Sequence, residues 1–119
     1  MTPAFSDANI IDWLDTHSEE NYDSLPYGVV QMNGQGIVTA YNTYESVIGG
    51  ISKENAIGKN FFVQVAPCTN NFMVAEKYKQ ESLDEELPYL FTYVTQPTPV
   101  ILRLIKGTNG KQYLLAIKA

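Results

Sequence analysis

"YGVVQMNGQGIVTAYN", Tyr27 to Asn42, decides the fold of this chain. It reads as strand, turn, strand: two runs rich in β-branched residues flank "NGQG", whose glycines supply left-handed backbone positions. "TYESVIGG" follows as a short helical turn stopped by Gly49 and Gly50. "SKENAIGKNFF" holds a second short helix, with Ser52 as N-cap and Gly58 as its stop, and Lys59 to Val65 continues as a brief segment ended by Pro67. "MVAEKYKQESLDEE", Met73 to Glu86, has helix-favouring composition with Val74, Ala75 and Tyr78 on one side, which predicts the longest helix, closed by Pro88. Two more β-rich runs, Tyr89–Thr95 and Val100–Lys106, flank "QPTP", and "GTNG" leads into a last strand, Gln112–Lys118.

This order predicts an α+β domain: a five-stranded antiparallel sheet with short helices on one face, the helical crossover walling off a pocket. Upstream, Ser6 is a candidate N-cap for a helix in which Ile10, Ile11 and Leu14 share a face, with Trp13 beside them. "THSEENYDSLP" reads as a polar connector. Residues 1–25 are therefore expected to form an N-terminal helical cap on a core spanning 26–119, all within one domain of 119 residues.

Hydrophobic residues make up 45% of the chain, enough for one core, so disorder is not expected. A net charge of −5 with only eight scattered Lys and Arg argues against a nucleic-acid partner, whose phosphates demand clustered cations. The N-terminus lacks the basic start and apolar run of a signal peptide, and no apolar segment approaches the ~20 residues that cross a bilayer. A cytoplasmic protein that does not bind membranes, monomeric or weakly dimeric, is the expectation.

Cys68 is the single cysteine, so no intramolecular disulfide can form. An unpaired thiol is commonly a small buried hydrophobe. A catalytic thiol needs a base, and the one histidine, His17, falls in the polar connector, so a Cys–His pair is weakly supported. A third use is to anchor a prosthetic group.

The flanks of Cys68 bear on that third use. "GKNFF" precedes "VAPCT" by one residue, and "YNTYES" places Tyr41 and Glu45 four apart. Together with "GVVQMNGQGIVTAYN", these motifs resemble photoactive yellow protein, the family of small blue-light photoreceptors with the PAS fold. The resemblance covers most of the chain, and the paired motifs around Cys68 are specific to that family.

It implies a thioester between Cys68, flanked by Pro67 and Thr69, and p-coumaric (4-hydroxycinnamic) acid, whose phenol end is buried as a phenolate. It also implies that Tyr41 and Glu45 hydrogen-bond the phenolate oxygen. A buried anion needs such donors, and Glu45 donates only when an apolar setting keeps it protonated. Val47, Ile48, Ile51 and Phe61 are candidates for that setting. Tyr93, Thr95 and Gln96 are expected to line the pocket from the strand and loop opposite. The implied activity is trans–cis photoisomerisation, proton transfer from Glu45, and a conformational signal to an unknown downstream signalling protein, with no enzymatic step.

The sequence departs from the family's pattern in places. Gly49 and Ile51 stand where the prototype has a threonine and an arginine, removing a hydroxyl near Tyr41 and a cation over the pocket. No methionine stands in the "VTQPTP" loop, which predicts slow dark recovery. The alternative is a PAS ligand-binding or protein-interaction module that carries no chromophore.

Overall fold

The computed structural model describes residues 2–92, 96–107 and 110–119. Its centre is a five-stranded sheet in the order β2-β1-β5-β4-β3, every neighbouring pair antiparallel. The strands are β1 (Gly28–Met32), β2 (Val38–Tyr41), β3 (Leu83–Phe91), β4 (Thr98–Lys106) and β5 (Gln112–Lys118). Gly36, at φ +80°, turns the chain between β1 and β2, and Asn33 Oδ1 fastens that turn by accepting from Gln35 N and Ile37 N.

Strand alternation sorts the residues onto two faces. Val30, Leu102, Leu104, Leu114 and Ala116 point to one side, where they pack with Ile48, Phe61, Val65 and Val74 from the crossover between β2 and β3. Val29, Ile105, Tyr113 and Leu115 point to the other side, beneath the N-terminal segment. That segment contains α1 (Ile10–Thr16) and α2 (Glu19–Tyr22) and contributes buried Ile10, Leu14, Tyr22 and Leu25. Helices therefore cover both faces of the sheet: the crossover lies on one, as expected, and the predicted N-terminal cap lies on the other. The α1 helix starts later than Ser6 implied, with Asn9 as its N-cap. The "polar connector" contains α2 and the fully buried Tyr22, whose hydroxyl donates to Leu14 O at 2.6 Å.

The crossover is short pieces: α3 (Thr43–Gly49), α4 (Lys53–Ala56), a π-helical turn at Phe61–Val65, and 3-10 turns at Pro67–Thr69 and Ala75–Lys79. Gly50, left-handed at φ 71°, ends α3 as predicted. Asn60 opens the π turn by accepting from Phe62 N and Val63 N.

The long helix predicted over Met73–Glu86 is absent. Only Ala75–Lys79 is helical, and from Leu83 the chain is β3. Leu83, Glu85, Leu87, Tyr89 and Phe91 are its more buried half, alternating with exposed neighbours. Pairing with the apolar β4 over nine registered residues overrides the local helix preference of "LDEE". Pro88 sits within β3, and it is tolerated because β3 is an edge strand.

Candidate functional site

Tyr41 reaches the crossover side of the sheet because of a bulge. Gln31 pairs with Ala40 and Met32 with Val38, leaving Thr39 as an extra residue in β2. Thr39 Oγ1 bonds Gln31 O and Oε1 on the partner strand. Val38 and Tyr41, three apart, consequently share the apolar side with Val30.

One residue later Asn42 begins α3. Its Oδ1 accepts from Val29 N at 2.9 Å and Glu45 N at 3.0 Å, while its Nδ2 donates to Tyr22 O at 3.0 Å and Tyr27 O at 2.9 Å. This cap fixes the first turn of α3 against β1. Glu45, Ile48 and Gly49 then form the buried face of the helix. Val47 is 72% exposed, so it does not belong to the apolar setting of Glu45.

Glu45 is completely buried, and neither carboxyl oxygen has a hydrogen-bond partner among the described residues; the buried hydroxyl of Tyr41 is likewise unpartnered. Desolvation pushes the Glu45 carboxyl up to about 8, so it is protonated at neutral pH. Burial, with the nearby Glu45 charge adding to it, holds the Tyr41 phenol far above the ordinary tyrosine value. Two proton donors, four residues apart in the chain, are thus buried with no acceptor among the described residues. Buried polar groups without partners are rare and costly. A bound anionic oxygen would satisfy both.

Cys68 lies in the 3-10 turn Pro67–Thr69, half-buried against the same core cluster that contains Tyr41, Phe61 and Ile48. Pro67 is exposed at the start of that turn, and Thr69 is buried with its hydroxyl donating to Ala66 O at 2.7 Å. A brace holds the turn from the other side. Tyr89 Oη donates to Cys68 O, and Asn71 Nδ2 donates to Cys68 O at 3.0 Å and to Tyr89 Oη at 2.7 Å. The sequence suggested no more for Tyr89 than strand packing, and Asn71 carried no signal at all. The sequence placed Tyr89 in a strand, but its contact with Cys68 comes from the register of β3 on β4, where it pairs with Val100.

His17 stacks on Trp13, ring centroids 4.1 Å apart, within the segment that covers the opposite face of the sheet from Cys68. Phe61 and Gly49 are buried, Ile51 is half-buried, and Gln96 is exposed. Tyr93 and Thr95 lie outside the described residues. An open cleft of about 540 Å³ has Ile51 and Val65 in its wall and Lys59 and Gln64 beside them. No group of three or more potential metal ligands occurs among the described residues.

A five-stranded antiparallel sheet with a short-helix crossover packed on one side defines the PAS fold. No family model matches the chain. It is, however, 32% identical over 100 residues to photoactive yellow protein of Rhodothalassium salexigens, covering 81% of this chain and 80% of the relative. Against photoactive yellow protein of Halochromatium salexigens the identity is 30% over 118 residues, covering 96% and 94%. Among solved structures, the photoactive yellow protein domain of the sensor histidine kinase Ppr from Rhodospirillum centenum superposes with a TM-score of 0.84 at 29% identity, covering 92% of this chain and all of that one. The chain belongs to the photoactive yellow protein family. Its kinship supports a photoactive, PAS-fold photoreceptor with a chromophore, and its relatives are photoreceptors, not enzymes. No helix among the described residues is long and apolar enough to cross a membrane.

Proposed function

We propose that this chain is a blue-light photoreceptor that carries p-coumaric acid as a thioester on Cys68, with the phenolate end held by Tyr41 and Glu45. The observation that supports this reading is the set of orphaned buried polar atoms, Tyr41 Oη and both Glu45 Oε, of which Tyr41 belongs to the core cluster that Cys68 packs against. Their chemistry fits a phenolate: two neutral O–H donors in a low-dielectric niche make short, charge-assisted bonds to an anion.

Attachment is an acyl transfer. The Cys68 thiolate attacks the carbonyl of an activated coumaroyl donor, an anhydride or an acyl thioester; the S–acyl bond forms and the donor's leaving group departs with the thiol proton. Bound there, the group supplies blue-light absorption and a trans–cis isomerisation. Tyr41 and Glu45 orient its far end, and Phe61 and Ile48 keep water out. Tyr89 and Asn71 fix the Cys68 carbonyl, so the anchor stays still while the phenolate contacts are disturbed.

A proton released by Glu45 toward a bound phenolate would leave a carboxylate in a dry niche and destabilise the packing around α3. Asn42 bonds Glu45 N on one side and Tyr22 O on the other, so a disturbance of α3 bears on the N-terminal cap, residues 1–25. The cap's loosening from the 26–119 core is the signal, received by a downstream protein. Gly49 and Ile51 contribute neither hydroxyl nor cation near the pocket, and with no methionine among residues 94–99, dark recovery is slow. The alternative, a PAS interaction module without pigment, is separated by mass. Incubating the apoprotein with activated p-coumarate gives a yellow adduct that Cys68→Ala abolishes; no mass gain overturns the proposal.

A further inference from the structure

Gly28, the first residue of β1, faces Glu45. Its backbone does not demand glycine, because the described glycines with left-handed φ are Gly36, Gly50, Gly58 and Gly110. Space does. A Cβ at position 28 would stand 3.1 Å from both Cα and Cβ of Glu45 and deep inside van der Waals contact of Glu45 Oε1.

We propose that Gly28 is a positioning residue for Glu45: its bare Cα reserves the volume that the Glu45 carboxyl occupies, and a larger residue there expels the carboxyl from its dry niche. The contacts with Cα and Cβ of Glu45 ask only a few tenths of an ångström of the backbone, whereas the overlap with Oε1 asks far more than the tethered backbones can give. Asn42 Oδ1 bridges Val29 N and Glu45 N, tying the start of α3 to the residue next to Gly28. Asn42 N also donates to Val29 O at 3.2 Å. On the other side, Gly28 is registered with Ala116 of the central strand β5. The soft part is the carboxyl itself, since no hydrogen bond holds either of its oxygens. One methyl group therefore acts on the site's acid before it acts on the fold. The role of Gly28 toward a bound dye rests on the proposed function; its hold on Glu45 does not.

The test uses the full chain without added dye and follows the side-chain 13C resonance of Glu45, assigned with Glu45→Gln, through a pH titration. In Gly28→Ala the midpoint is expected to fall by about two units toward the ordinary glutamate value as the carboxyl meets water. An unchanged midpoint in a folded Gly28→Ala overturns the proposal. If Gly28→Ala alone fails to fold, the double variant Gly28→Ala with Glu45→Ala is expected to recover folding, because the displaced group has been removed. A double variant that stays unfolded also overturns it. Failure of the wild-type chain to take up p-coumarate would sink the photoreceptor reading and leave this titration result standing.

Discussion

Glu19 Oε2 accepts the backbone N–H of Tyr41 at 3.1 Å, so a carboxylate of the N-terminal segment is bonded to the strand end that carries the site hydroxyl. The other oxygen of Glu19 pairs with Lys53 Nζ at 2.7 Å. The next two residues are held from the same helical turn: Asn42 Nδ2 donates to Tyr22 O, and Thr43 N donates to Asp23 Oδ1 at 2.7 Å. Three consecutive residues leading into Glu45 are thus read by α2 and its C-cap.

Glu19→Ala should accordingly loosen both partners. The expected loss is about 1 kcal/mol in urea denaturation, the usual net worth of one hydrogen bond, with faster exchange of the Tyr41 amide. Glu19→Gln keeps an accepting oxygen and should retain most of the protection. Equal losses for the two variants would mean that the Lys53 ion pair, not the Tyr41 bond, is what matters.

Arg103 is the second fastening of the N-terminal segment. Only 4% exposed, it forks onto Asp84 with Nε and Nη2, each at 2.8 Å, and Nη1 donates to Phe5 O and Asp7 O. Lysine keeps the charge but cannot reproduce that fork. Arg103→Lys is expected to cost roughly 2 kcal/mol and to speed proteolysis before Ile10. Unchanged cleavage there would show that the apolar contacts of Ile10 and Leu14 hold the segment unaided.

Stability of the dye-free chain should depend on pH through Glu45. Its folded carboxyl titrates at about 8 against an ordinary 4.5, so between those values the folded state holds a proton that the unfolded state has lost. Stability then falls as pH rises through this window, by up to about 1.4 kcal/mol per unit, and levels off above it. Urea titrations from acid to alkaline pH check the slope. Glu45→Gln should flatten it, and a slope that survives in the variant must come from another group.

With the dye attached, Tyr41→Phe removes one donor to the phenolate. The phenol's pKa in the loaded protein should rise by roughly one to two units, matching the loss of one hydrogen bond to a charged group. Spectrophotometric acid titration of the yellow form measures this. An unshifted titration would remove Tyr41 from the phenolate's surroundings.

Much of the architecture was legible because it rests on local chemistry. The "NGQG" turn, the Gly50 stop and the apolar run within Gln112–Lys118 each specify their own element. The end of the Met73–Glu86 stretch misled because the strand identity of Leu83–Glu86 comes from pairing with β4, remote in sequence, while its charges favour a helix. The site divides along the same line. Tyr41, Glu45 and Cys68 stood out through the motifs "YNTYES" and "VAPCT" and their resemblance to the photoactive yellow protein family. Gly28 and Tyr89 matter only through where the sheet register puts them, Asn71 only through its bonds to Cys68 and Tyr89, and a glycine that serves by occupying no space leaves no mark on composition.

The central claim is that a protonated Glu45 faces the phenolate of a dye held by Cys68. Light-minus-dark infrared difference spectroscopy of the reconstituted protein addresses it directly. The account predicts that a protonated-carboxyl C=O band bleaches on illumination, returns in the dark, and is missing from Glu45→Gln. A band that persists under light, or one that bleaches equally in Glu45→Gln, would contradict it.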